Sequence, residues 1–257
     1  MLQQSLKYTI FLALLIGIAG VIWTPRSERV LGGYATSLRG RTRGQRMNAL
    51  RAARALDDVV IPAGHSWSFN RTVGSWTPDR GYVLAPVSYD GALVVDWGGG
   101  VCQTSTTLYN AALLAGLEIV ERHRHNWTPG YVPPGRDAAV AQFTTDLRLR
   151  NPYPTPVRVR ARLSEEGVGF EILGRGEGPM ADVTCEPLQA VSPVEVTLPD
   201  TQLAPGQRRV RTHGRPGAQV VVYRTFIRGQ HAGRRELISQ DVYPAMNRVV
   251  LIGCTGE

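Results

Sequence analysis

The chain has 257 residues, 43% of them hydrophobic and 19% charged, long enough for two compact domains and too apolar for wholesale disorder. Its formal net charge is +8, carried mostly by arginines scattered along the chain. No nucleic-acid motif or basic helix accompanies that charge, so nucleic acid is set aside as a partner; a surface facing anionic envelope polymers or lipid headgroups fits the balance.

In chain order, the first element is an uncharged run from Tyr8 to Trp23, preceded by Lys7. Its length lies between a signal-peptide core and a full membrane span, and Ile18-Ala19-Gly20 is a poor cleavage site. The reading is an N-terminal membrane anchor helix within residues 1–24, with a cleaved signal peptide as the alternative. The cytoplasmic membrane is thus an expected partner. Arg26 and Arg29 compete with Lys7 in setting orientation, and the body is expected on the extracytoplasmic side of a single pass. Residues 25–33 read as a tether.

From Gln45 to Val59, apolar Met47, Leu50, Ala53, Leu56 and Val59 recur every three residues, predicting one amphipathic helix. Trp67 and Phe69 then alternate with serines in strand fashion. The segment from Tyr82 to Val95 predicts a hairpin turning at Asp90-Gly91. Gly98-Gly99-Gly100 follows, and Gln103 to Ala115 is apolar on nearly every face after its first turn, as in a buried helix, with Gly116 placed to end it. Strands are expected at Leu117 to His123, Thr145 to Arg150, Pro156 to Leu163 and Gly167 to Leu173, with a proline-rich loop from Trp127 to Asp137. Beyond Gly174, short β-type runs punctuated by Gly, Pro and Thr predict a small all-β module. Cys185 and Cys254 bracket that module, which in an exported protein suggests a disulfide between them, the alternative being two buried free thiols. The fold class is therefore α+β: a mainly antiparallel sheet with two packed helices, then the β module.

The chemistry concentrates around Cys102, which closes the glycine triplet and opens the second helix. A thiol there lies among unpaired backbone N–H groups at the positive end of a helix dipole, a setting that favours the thiolate. His123, His125 and Asp137 follow in the nucleophile–base–orienter order of several cysteine hydrolases and acyl transferases. In this reading Cys102 attacks, His123 or His125 is the base, and Asp137 orients the imidazole. Gly100, Gln103 and Thr104 are candidates for the loop or the oxyanion donors. His123 is preferred over His125 because it continues the apparent strand directly; two residues apart, the pair shares a face on a strand and separates if the segment bends. The competing readings make Cys102 a small buried hydrophobe in a tight turn, or one ligand of Zn²⁺ with His123 and His125. No pair has a zinc-motif spacing, so no metal and no cofactor is assigned. His65, His213 and His231 read as ordinary surface or strand residues. Trp67, Phe69, Trp76 and Tyr82 suit core packing better than sugar stacking.

Residues from Tyr34 to about Leu163 resemble the VanW family of bacterial envelope proteins. The resemblance rests on Ile61-Pro62-Ala63-Gly64-His65-Ser66-Trp67-Ser68-Phe69-Asn70, Arg80-Gly81-Tyr82, the glycine–cysteine segment, Glu121-Arg122-His123-Arg124-His125 and Tyr131-Val132-Pro133-Pro134-Gly135-Arg136-Asp137. Thr104 stands where the family usually has valine and Arg124 where proline is common; neither removes a candidate reactive group. The tail resembles the G-five (G5) domain through Pro205-Gly206, Gly214-Arg215-Pro216-Gly217, Gly229 and Val249-Val250-Leu251-Ile252-Gly253. These resemblances imply a VanW-like domain over 34–174 and a G5-like domain over 183–254. They also imply a setting at the cell wall, with peptidoglycan or another wall glycan as partner, and a family name drawn from glycopeptide-resistance gene clusters. Two functions follow as expectations. One is a cysteine-dependent amidase or transpeptidase acting on peptidoglycan peptides; the alternative is a non-catalytic wall-binding or scaffolding protein.

Overall fold

The computed structural model describes residues 28–89, 92–175 and 180–254. The anchor expected over residues 1–24 and the Asp90-Gly91 turn lie outside the described residues. Among the described residues no helix is long and apolar enough to cross a membrane.

The chain is mostly β with few helices. Strand β1 (Arg29–Ser37) takes in the second half of the expected tether, because it pairs along its length with β9 (Gly167–Gly174). Helix α1 (Arg43–Arg54) opens with a capping box in which Thr42 Oγ1 accepts from the Gln45 N–H and the Gln45 amide accepts from the Thr42 N–H. Its buried face is Asn48, Ala49, Ala52 and Ala53. Met47 faces solvent, since a repeat of three drifts off any one face of a helix turning every 3.6 residues. The small face lets α1 approach α3 (Val101–Leu114) closely, and Thr104 Oγ1 donates to the Ala49 carbonyl at 2.9 Å across that contact.

One antiparallel sheet runs in the order β1-β9-β8-β2, with β2 at Val60–Ile61 and β8 at Val157–Ser164. Helix α3 packs on β1 and β9, and at Gly32 a Cβ would come within 2.2 Å of the Ala115 nitrogen, so β1 crosses the helix end where only glycine fits. A second sheet joins β3 (Ser66–Ser68), β7 (Arg148–Arg150) and β6 (Glu118–Glu121). The short helix α2 (Phe69–Val73) begins at Phe69, ending the strand alternation read at Trp67 and Phe69. Strands β4 (Leu84–Tyr89) and β5 (Ala92–Trp97) pair antiparallel on either side of the expected turn. Phe69, Trp76 and Tyr82 are buried in the core with Leu108, Leu113, Leu149, Phe170 and Ile172.

The C-terminal region holds two three-stranded sheets. One is β10 (Ala181–Val191), β13 (Gly217–Phe226) and β14 (Arg235–Tyr243); the other is β11 (Glu195–Asp200), β15 (Arg248–Gly253) and β12 (Arg208–Thr212). Strands β11 and β15 run parallel. The expected Cys185–Cys254 disulfide is corrected here: both are free thiols. Cys185 sits in β10 opposite Val222, whereas Cys254 follows β15 in the other sheet.

This region does not hang free of the first. Arg224 of β13, buried, donates from Nη1 to the Leu117 carbonyl at 2.6 Å and the Leu113 carbonyl at 3.3 Å. A cation thereby satisfies the negative end of α3, and Glu236 of β14 balances it. At Gly135 (φ +83°) a Cβ would come within 2.4 Å of Val222 Cγ2, so the proline-rich loop meets β13 backbone to side chain.

Candidate active site

Each glycine before Cys102 is required. Gly98 and Gly100 have φ of +78° and +110°, and added Cβ atoms at Gly98, Gly99 and Gly100 would lie 2.8 Å from Trp76 Cε3, 2.6 Å from the Pro86 oxygen and 2.2 Å from the Gln45 oxygen. Buried Asn48 ties the turn down, donating to the Gly99 carbonyl at 3.0 Å and the Val83 carbonyl at 2.9 Å while accepting from the Val83 N–H. Gly100→Ala is therefore expected to cost about 1–3 kcal/mol in backbone strain and a similar amount in overpacking, read as a lowered midpoint in urea denaturation. An unchanged midpoint would mean the triplet is not rigid.

The first turns of α3 carry buried hydroxyls and amides that grip residues 136–140. Ser105 Oγ donates to the Ala138 carbonyl at 2.7 Å, Thr106 Oγ1 accepts from the Ala138 N–H at 3.0 Å, and Asn110 donates to the Arg136 carbonyl at 2.7 Å. That grip brings Asp137 beside the helix and places the Val140 carbonyl 3.2 Å from the Cys102 sulfur.

Asp137 is hydrogen-bonded to His125, and His125 interacts in turn with Cys102, whose thiol donates to the Val140 carbonyl. His125 Nδ1 lies 2.7 Å from Asp137 Oδ2, and its backbone N–H donates to the same oxygen at 2.7 Å. The thiol lies close enough for the imidazole to lower its pKa. Burial pushes the Cys102 thiol up, but the His125 hydrogen bond and charge outweigh it and hold the thiol below its ordinary value. Burial disfavours the imidazolium, yet its bonds to Asp137 and Cys102 raise the His125 pKa to about 10. Burial likewise opposes ionisation of Asp137; His125 and the Arg122 charge hold it below the usual carboxylate range. All three shifts run in the direction that eases charging of thiol, imidazole and carboxylate together.

His123 is not brought to this group. Strand β6 ends at Glu121 and the backbone bends, so the two histidines do not share a face. His123 Nε2 instead pairs with Glu121 Oε1 at 2.9 Å, half-exposed. The zinc arrangement of Cys102, His123 and His125 is lost for the same reason. The side chains of Gln103 and Thr104 are also engaged elsewhere. Gln103 donates to Thr36 Oγ1 and the Ser37 carbonyl and accepts from Arg41 Nε at 3.0 Å, while Thr104 is bound to α1. Gly100 serves as the N-cap of α3.

Sequence reasoning missed three residues. Asp137 Oδ1 accepts from Arg122 Nη2 at 3.1 Å and from the Tyr243 hydroxyl, and Arg122 Nη1 reaches both oxygens of Asp241 at 2.7 Å. Arg122 stood in a quoted motif as a bystander; Asp241 and Tyr243 lie more than a hundred residues from the site in sequence, with no local signal.

Comparison with known proteins gives the following. Residues 44–173 match the family model described as VanW like protein, and residues 188–255 match that of the G5 domain. Over 136 residues the chain is 40% identical to the uncharacterized protein YoaR of Bacillus subtilis, covering 53% of this chain and 45% of that protein. Over 122 residues it is 29% identical to the vancomycin B-type resistance protein VanW of Enterococcus faecalis, covering 46% of this chain and 44% of that protein. The chain spans about half the length of the curated relatives it matches. The solved IgA1 protease G5 domain aligns with 30% of this chain and 92% of its own at 23% identity and a TM-score of 0.23.

Proposed function

We propose that this chain, which belongs to the VanW-like protein family and carries a G5 domain, is a cell-wall-associated protein with a cysteine acyl-transfer centre. The observation that carries the chemistry is the placement of His125, hydrogen-bonded to buried Asp137, beside Cys102 at the start of α3. The Cys102 thiolate attacks the carbonyl carbon of an amide, and the C–N bond breaks. The departing amine takes the Nε2 proton of the His125 imidazolium, leaving the acyl group as a thioester on sulfur. A second amine, or water, then gives its proton to Nε2 and takes the acyl group as the C–S bond breaks, restoring the thiolate and the imidazolium. Peptide stems of peptidoglycan supply both amide and amine, so transpeptidation or amide hydrolysis there is the proposed reaction. The G5 domain would hold the enzyme at wall glycan, and the apolar run at residues 8–23 would tether it with its body outside.

A second reading is favoured by the domain pairing itself. VanW-like and G5 domains together support wall association without any catalytic step, and the matched relatives carry no argument for catalysis. In that reading the protein binds or scaffolds the wall, and Cys102 is a structural thiol.

Alkylation by iodoacetamide across pH separates the two. The Cys102 thiol is held below its ordinary value and His125 keeps its proton up to about pH 10, so Cys102 should be alkylated below the ordinary thiol range. Cys102 is therefore expected to react at pH 6 many times faster than free cysteine. Cys185, whose thiol burial pushes up, serves as a slow internal control. A Cys102 rate at pH 6 no greater than that of free cysteine would remove the acyl-transfer reading and leave the wall-binding one.

A further inference from the structure

We infer that Tyr243, together with the Arg122–Asp241 pair, positions Asp137, so that strand β14 of the G5-bearing region is a working part of the acyl-transfer centre. The inference rests on the acyl-transfer reading for its catalytic meaning and on geometry for its substance.

The Asp137 side chain is fully buried and its two oxygens are divided between two tasks. Oδ2 takes both bonds from His125, while Oδ1 takes only Arg122 and Tyr243. A carboxylate held on one oxygen alone turns about its Cβ–Cγ bond; the two anchors on Oδ1 stop that rotation and keep Oδ2 aimed at the imidazole. The Tyr243 hydroxyl is itself oriented, because it accepts from the Gly135 N–H at 2.9 Å and so has its own proton free for Asp137. Burial and the neighbouring carboxylate push its phenol far above the ordinary value, so it stays a donor wherever the centre works.

Arg122 is held from both sides. Its Nε donates to the Asp137 carbonyl at 2.6 Å, and Asp241, fixed by Ser239 Oγ at 2.9 Å, takes Nη1. The charged and titratable groups around the Asp137–His125 bond are Cys102 and Tyr109 from α3, Arg122 and Arg124 after β6, Tyr131 and Arg136 from the loop, and Asp241 and Tyr243 from β14. Arg122 and Tyr243 draw charge from Asp137, and Asp241 moderates Arg122.

This arrangement predicts opposite effects from two conservative changes. Tyr243→Phe removes a donor from Asp137, leaving more charge for His125, whose imidazolium then titrates at higher pH. Asp241→Asn frees Arg122 to bind Asp137 more fully, and His125 titrates at lower pH. Each shift is on the order of half a pH unit, the scale of one buried hydrogen bond. The experiment is an NMR titration of His125 in the full chain and both variants, with the exchange-protected Nδ1 proton followed alongside and Cys102 alkylation measured in parallel.

Opposite shifts, with broadening of the Nδ1 proton in Tyr243→Phe, support the inference; should that variant not fold, the downward shift in Asp241→Asn decides. A reactive Cys102 whose His125 ignores both substitutions overturns it and leaves the acyl-transfer reading intact. An unreactive Cys102 whose His125 responds as stated supports the network while sinking the reaction.

Discussion

Cys102→Ala is expected to abolish turnover completely while leaving the protein folded. In the acyl-transfer reading the sulfur is the atom that takes the acyl group, so nothing else in the centre can replace it. Where nucleophile and base act as a unit, the loss is on the order of 10⁴- to 10⁶-fold. Cys102→Ser should be equally inert: a hydroxyl fits the space, but its proton is held far too tightly for an ion pair with His125 to form. Incubating purified sacculi with each protein and analysing the released muropeptides by mass spectrometry provides the measurement. Wild-type protein should change the population of stem peptides or cross-links, and both variants should leave it as in the untreated control. A change of equal size with Cys102→Ala would end the enzyme reading.

Asp137→Ala carries the second large effect, on stability as well as chemistry. It strips Arg122 of one of its two carboxylates, orphans the Tyr243 hydroxyl and removes the acceptor of His125 Nδ1. Breaking a buried charged pair by removing one partner costs about 3–5 kcal/mol. The loss depends on pH in a definite sense. His125, raised to about 10 in the folded protein, contributes stability that is full below its unfolded value of about 6.5 and vanishes as pH rises through about 10. Asp137, lowered on folding, contributes above the ordinary carboxylate range and loses that contribution as pH falls through its depressed value. Urea denaturation of wild type and variant should thus differ most near pH 5–6 and converge towards pH 10 and towards strong acid. A gap that stays constant across that range would mean the network stores no ionisation-linked stability. Asp137→Asn separates the roles: it keeps the volume but presents the wrong partner to Nδ1, and a loss on the order of 10⁴-fold in turnover is expected from the misoriented imidazole.

Much of this was legible in the residues, and the misses have physical causes. The buried helix after the glycine triplet, the hairpin strands and the β-rich tail follow from period and punctuation, which are local. Choosing between His123 and His125 depended on where β6 stops, a matter of one or two residues that alternation does not specify. The Cys185–Cys254 pairing failed because bracketing a module in sequence says nothing of which sheet each end joins. The deepest miss concerned polar residues. Thr104, Ser105 and Thr106 read as part of a polar run and proved, with Asn110, to be buried struts between α3, α1 and the Asp137 segment. Arg122, Arg224 and Asp241 carried no assigned role in the sequence. They are buried because each finds a specific partner from a distant part of the chain, and such partners leave no periodic trace.

The Tyr243–Asp137 bond spans 106 residues, and that distance has a consequence in time. During synthesis the nucleophile, its base and its carboxylate are all made well before β14 emerges. Until that strand docks, Asp137 Oδ1 lacks its Tyr243 anchor and Arg122 lacks Asp241. A chain cut short before residue 243 would carry Cys102, His125 and Asp137 with the carboxylate held by Arg122 alone on Oδ1. In the acyl-transfer reading the late strand therefore completes the support of a centre whose members are made long before it.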